Sequence, residues 1–282
     1  MQKYWHVSLL LILTLSGCSQ QVTTPATSTI ILTETPTQSP TLTPTATPTA
    51  TSVPLISGVC SPLQSIDLTD LRLITSNPFI LKYPFSEGPD GDKNHPAVDL
   101  GFYSFKGLTT DDDHPIQAVL PGKVALVVNN RFPYGNMIMI ETPLDSLTPA
   151  LIKQIKIGNP YSDDEIKSRS SCQPDQTRIS WSSDSKSVYI LYAHMKNTPT
   201  LRPGDEVQCG EVVGAIGATG NSSVSIEHLH LEIRVGPSNA KFGTISDYGS
   251  DSTEEERYNY CIWALSEVFL PINPSLFWDA NQ

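Results

Sequence analysis

Basic residues are scarce in this sequence. The 282-residue chain carries 18 Lys and Arg against 29 Asp and Glu, a net charge of −11, and no basic run. That excludes nucleic acid as a partner, because phosphate binding needs clustered cations. Long apolar runs are also missing. The stretch Val7 to Leu15 falls short of the about 20 residues that cross a bilayer, and no later segment is long enough. No His-Glu-x-x-His occurs, so the glutamate base of that zinc motif has no counterpart. No Gly-Lys-Ser/Thr occurs either, so Gly214, Gly217 and Gly220 read as turns rather than a phosphate loop. No two cysteines after Cys18 lie within a few residues of each other, which argues against a zinc knuckle.

What is present falls into three unlike pieces. Lys3, the apolar run and Leu15-Ser16-Gly17-Cys18 form a secretory signal pattern. Cys directly after the small pair resembles the bacterial lipoprotein lipobox. The resemblance implies that residues 1–17 are a signal peptide and that Cys18 becomes the lipidated first residue. Residues 21–54 are dominated by Thr and Pro, with Glu34 as their only charge. Such a composition buries too little apolar surface to order itself. Repeated Pro favours an extended tether reaching on the order of 100 Å. Residues 18–54 therefore read as a lipidated cysteine and disordered leash. The rest of the chain is expected outside the membrane, in the bacterial cell envelope.

Residues 55–282 read as one β-rich domain. Short β-branched or alternating runs predict strands at 116–119, 123–128, 137–141, 188–195, 211–216 and 228–235, punctuated by Pro121-Gly122, Pro203-Gly204 and Gly217 to Gly220. Long amphipathic helices are scarce. A short one is expected near 149–156 and another at 253–268. The polar stretch 142–187 reads as an insertion between two strands. Cys60, Cys172, Cys209 and Cys261 make an even count in an exported chain, which predicts two disulfides. Of three connectivities, Cys60–Cys261 with Cys172–Cys209 is favoured here.

The histidines carry the chemistry. In His228-Leu229-His230-Leu231-Glu232-Ile233-Arg234-Val235 the apolar residues alternate toward one side and His228, His230, Glu232 and Arg234 toward the other. Two His at i and i+2 stand about 6.6 Å apart along a strand, close enough for one to bind a metal while the other reaches its open side. The competing reading is a solvated polar face. In Val188 to Met195, residues 188, 190, 192 and 194 are expected to share a face, placing His194 at a strand end. His95-Pro96-Ala97-Val98-Asp99 cannot be a helix beside Pro96, Gly91 and Gly101. It reads as a loop entering a strand, from which both side chains can converge on a cation. His114, in Asp111-Asp112-Asp113-His114-Pro115, reads as a solvated turn, with a second metal site as the alternative.

In this order, His95-x-x-x-Asp99, Tyr192-Ala193-His194-Met195, Gly214-x-x-Gly217-x-Thr219-Gly220 and His228-Leu229-His230-Leu231-Glu232 resemble the M23 (LytM or lysostaphin-type) zinc peptidase family. Pro115 to Ala118, Gly122 to Val124, Tyr134 to Ile138 and Val207 to Gly214 resemble the family's intervening segments. The resemblance runs from about residue 93 to 235 and departs from the family at Ala97, where Gly is usual, in the segment before His95, and in the insertion. It implies a mainly β, compact antiparallel sheet or sandwich-like peptidase domain with a long insertion and a short C-terminal helix. It implies zinc held by His95, Asp99 and His230, with His194 and His228 as the catalytic pair, and peptidoglycan peptides as substrate. Two neutral imidazoles and one carboxylate leave zinc positive with an open position, and that charge disfavours protonation of His194 and His228. Two other readings compete: a regulator of other wall hydrolases that has lost catalysis, and a wall- or carbohydrate-binding module using Trp181, Tyr161 and Tyr134.

Overall fold

Short strands rich in Val, Ile and Leu pair antiparallel wherever Gly or Pro ends one and the next returns beside it. The computed structural model describes residues 54–81, 95–102, 104–110, 113–155, 173–220, 226–247 and 251–278. All lie in the compact unit Ser52–Gln282. The expectations for the signal segment, Cys18 and the leash fall outside the described residues, as do Asp111, Asp112, Tyr161 and Cys172.

The strands are β1 (Thr75–Asn77), β2 (Ala97–Leu100), β3 (Pro115–Gln117), β4 (Gly122–Arg131), β5 (Gly135–Pro143), β6 (Ser182–Met195), β7 (Glu206–Val207), β8 (Val212–Ala215), β9 (Leu229–Ser238) and β10 (Leu270–Ile272). One sheet runs β1-β2-β9-β6-β5-β4-β7, and β10 joins it beside β9. Strands β2 and β10 share one edge of β9, pairing with residues 229–232 and 233–235 respectively. A second sheet pairs β3 with β8. The protein is mainly antiparallel β, as the resemblance implied. Helices are short: α1 (Pro149–Gln154), begun by a Thr148 cap, and α2 (Glu254–Tyr260), begun by a capping box between Thr253 and Glu256. A π-helical turn continues α2 through Cys261–Leu265, and the chain turns extended at Ser266.

The sheet is buried on both faces. Leu229, Leu231, Ile233 and Val235 join Val188, Ile190 and Tyr192 in the main core, as the alternation predicts. The opposite face carries a second core of Met137, Met139, Tyr189, Leu191 and Ala193, covered by Ile245, Ile262, Trp263 and Phe269 from the C-terminal segment. Two expectations are corrected here. Glu232 and Arg234 do not face solvent: they are 1% and 0% exposed. Residues 182–187 are not part of the insertion but the start of β6, pairing with Gly236 to Ser238. Residues 183–186 are exposed, and so polar a run shows no apolar alternation.

The disulfides differ as well. Cys60 bonds Cys209, not Cys261, with sulfurs 2.06 Å apart. The Cys60 N–H donates to the Val119 carbonyl and the Gly210 N–H to that of Ala118, which brings the two cysteines to one strand end. Cys261 is disulfide-bonded elsewhere, its partner outside the described residues. Sequence separation cannot reveal such pairing, because the contacts that create it are tertiary. His114 is likewise no solvated turn. It is 6% exposed, its Nε2–H donates to the Gln64 carbonyl at 2.8 Å, and its ring meets the Phe102 ring edge-on.

Candidate metal and catalytic site

Asp99 lies in β2, and its register partner on β9 is His230. His95 enters that strand through reciprocal backbone hydrogen bonds with Ile80, of 2.8 and 2.9 Å. Strand pairing, rather than the four-residue spacing, therefore assembles the cluster. His230 Nδ1 is 3.0 Å from Asp99 Oδ1, His95 Nε2 is 3.2 Å from the same oxygen, and the two nitrogens are 3.3 Å apart. Ligand atoms around a tetrahedral zinc, each about 2.0–2.2 Å from the ion, stand about 3.3–3.6 Å from one another. The observed triangle is close to that size, and two imidazoles with one carboxylate are a donor set suited to zinc.

His194 arrives by a different device. Ala193 packs in the second core and Met195 in the main one. Two residues apart on a regular strand, they would share a face. A register shift between Asn136 and Ile138 gives β6 an extra residue here, and His194 takes φ +60°. The bulge turns His194 away from the face of Val188, Ile190 and Tyr192, where alternation had placed it. Its ring lies 4.9 Å from that of His228 and 5.5 Å from that of His230, centroid to centroid.

Three of the four rings have one nitrogen occupied away from the cluster. His194 Nδ1–H donates to the Thr219 carbonyl at 2.7 Å, His228 Nδ1–H to Ile226 at 3.0 Å, and His95 Nδ1–H to Pro78 at 3.1 Å. This leaves Nε2 of both His194 and His228 as the bare nitrogen, and that of His228 lies 3.8 Å from Asp99 Oδ1. Asn77 donates to Asp99 Oδ2 at 3.2 Å, so the carboxylate is oriented too. The Thr219 carbonyl is placed by a close backbone approach. A Cβ on Gly220 would stand 2.3 Å from the Gly135 nitrogen, and both glycines have positive φ. Gly220 is thus needed for contact with β5, beyond the turn foreseen for it.

A family match falls on two of these strands, β6 and β9. One stretch of the chain, residues 177–242, matches the model of peptidase family M23, taking in His194, His228 and His230. His95 and Asp99 lie before the segment, and the β2–β9 pairing joins them to it. Solved structures similar to the chain include a zinc-containing peptidase from Vibrio cholerae (17% identity, TM-score 0.32, 56% of this chain and 32% of that one). The catalytic domain of a prophage-encoded M23 protein from Enterococcus faecalis is another (19%, 0.29, 56% and 85%). Lysostaphin from Staphylococcus simulans is a third (19%, 0.28, 56% and 43%). The chain spans about a third of the length of the Vibrio protein.

Sequence reading missed the surroundings of His230. Glu232 receives Tyr134 Oη–H at 2.9 Å and pairs with Arg234. Burial opposes ionisation of Glu232, but Arg234 and His230 hold its pKa down at about 2. Burial likewise opposes ionisation of Asp99, but hydrogen bonds from His230 and His95 hold its pKa well below the usual carboxylate range. Burial also opposes charge on His230, but Asp99 and Glu232 raise its pKa to about 9 in the metal-free protein. A pKa raised above the unfolded value stabilises the fold fully below about pH 6.5 and is lost as pH passes 9. The metal-free protein should therefore be less stable at pH 9.5 than at pH 6, by on the order of 1–3 kcal/mol. Urea midpoints at the two pH values measure this.

Proposed function

We propose that the chain is a zinc-dependent endopeptidase that hydrolyses peptide bonds in peptidoglycan stem peptides or cross-bridges, outside the membrane. The observation that carries this reading is convergence: three ligand atoms within 3.0–3.3 Å of one another, with two further imidazoles beside them. His95 Nε2, Asp99 Oδ1 and His230 Nδ1 would hold the ion. Zinc so bound would lower the pKa of water and polarise a carbonyl.

The protein's own groups supply proton transfer. Burial, with His230 and His228 alongside, lowers the pKa of His194 to about 3 in the metal-free protein, so its Nε2 is bare at neutral pH. Nε2 of His194 or of His228 accepts the proton of the attacking water. The imidazolium so formed then gives that same proton from Nε2 to the departing amine and returns to its neutral state. The Thr219 and Ile226 carbonyls hold each Nδ1–H, which fixes the tautomer this exchange needs. Two of the aromatics offered for the binding-module reading are not free for it: Tyr134 is 6% exposed and Trp181 packs against the second core.

The location follows from the N-terminal sequence. Residues 1–17 act as a signal peptide, Cys18 carries the lipid anchor, and residues 18–54 tether the peptidase domain of residues 55–282. No helix among the described residues is long and apolar enough to cross a membrane. The test is mass spectrometry of fragments released from purified sacculi by the zinc-loaded protein. New peptide termini that vanish with His228→Ala are the expected result and name the bond. Intact sacculi of several peptidoglycan types, exposed to folded, metal-bound protein, would overturn the reading.

A further inference from the structure

Beyond the ligands, one buried group stands out for its position. His230 Nε2 is fully buried and makes no hydrogen bond among the described residues. An Nδ1 that binds metal is bare, so the ring proton must then sit on Nε2. The carboxylate oxygen facing that nitrogen is Glu232 Oε2, at 3.8 Å, on a side chain only 1% exposed. Glu232 comes two residues after His230 on β9 and lies on the same face. It is clamped from two sides. Tyr134 donates to Oε2 at 2.9 Å, and Arg234 pairs with Oε1.

The clamp is anchored in the C-terminal segment, beyond the family match. Arg234 donates to the Phe269 carbonyl at 2.9 Å, and its guanidinium lies 5.2 Å from the Trp263 ring centre. Tyr134 in turn packs its ring 5.9 Å from His230 and 6.1 Å from Tyr260. Residues 260–269 thereby reach the metal cluster through Glu232, although none of them belongs to it.

Resting on the metal-site reading above, we propose that Glu232 is a positioning residue. Its carboxylate, held by Tyr134, Arg234 and the C-terminal segment, accepts the Nε2–H of His230 and keeps Nδ1 bare and aimed at His95 and Asp99. A carboxylate has acceptor capacity for all three donors: Tyr134 O–H, Arg234 N–H and His230 Nε2–H. An amide of the same shape has one acceptor oxygen and adds two donors of its own.

The test is zinc affinity of the full chain, measured by competition with a chromophoric chelator, for wild type, Glu232→Gln and the core variant Ile262→Val. Glu232→Gln should bind zinc about 10–100-fold more weakly. Ile262→Val, which trims the same second core without touching Glu232, should bind as wild type does. A second readout needs no variant. Long-range proton–nitrogen spectra of the zinc-loaded wild type should show His230 protonated at Nε2. Unchanged affinity in Glu232→Gln, equal loss in Ile262→Val, or a proton on Nδ1 would each overturn the inference and leave the metal site standing. A folded wild-type protein that binds no zinc overturns the metal reading and this inference together.

Discussion

Asp99→Ala should leave a folded protein that purifies without zinc and does not take it up. Asp99 Oδ1 is the shared corner of the cluster, 3.0 Å from His230 Nδ1 and 3.2 Å from His95 Nε2. Removing it takes away the anionic member of the proposed ligand set and leaves two imidazoles. The loss should exceed the about 10–100-fold expected when an outer partner of a ligand is removed. His230→Ala should match it, because that ring supplies a ligand from the facing strand. Metal content by plasma mass spectrometry, with competition binding, gives the answer. Stoichiometric zinc in Asp99→Ala would refute the ligand assignment.

His194→Ala and His228→Ala should behave oppositely, keeping zinc while turnover falls about 10²–10⁴-fold. Neither ring has a nitrogen in the triangle of ligand atoms, and each has its Nδ1–H tied to a backbone carbonyl. The rings are neighbours, 4.9 Å apart, and on the proposed reading serve one reaction. The double variant should therefore lose far less than the product of the two single losses. The comparison is of steady-state rates on a peptide carrying the bond identified from sacculi, at equal zinc occupancy. Zinc loss in either single variant would move that histidine into the ligand set.

Much of the site was legible because its signals are local. The alternation of Leu229 to Val235 announces a strand whose apolar side joins the main core. His-x-His within it announces side chains on one face. Pro96 and the flanking glycines exclude a helix at His95 and leave an extended segment, as β2 proves to be. The strand expectations for the six runs all correspond to strands, because each is a short run of β-branched or alternating apolar residues.

The remainder is decided by contacts that no local pattern carries. Glu232 and Arg234 look like solvent-facing residues by alternation alone. They are buried because residues 262–269 return to cover that face. His194 sits by alternation among the core residues of β6, and only the shift against β5 turns it to the cluster. The Cys60–Cys209 bond joins residues 149 apart, through backbone contacts at Val119 and Ala118. The sequence by itself determined the strand content, the identity of the chemical side chains and the expected address. Only the tertiary structure decided which strands meet, which second face is covered and which nitrogen of each ring is held. Register, a bulge and a returning segment are set by the packing of distant residues, and their energy appears only once those residues are in contact.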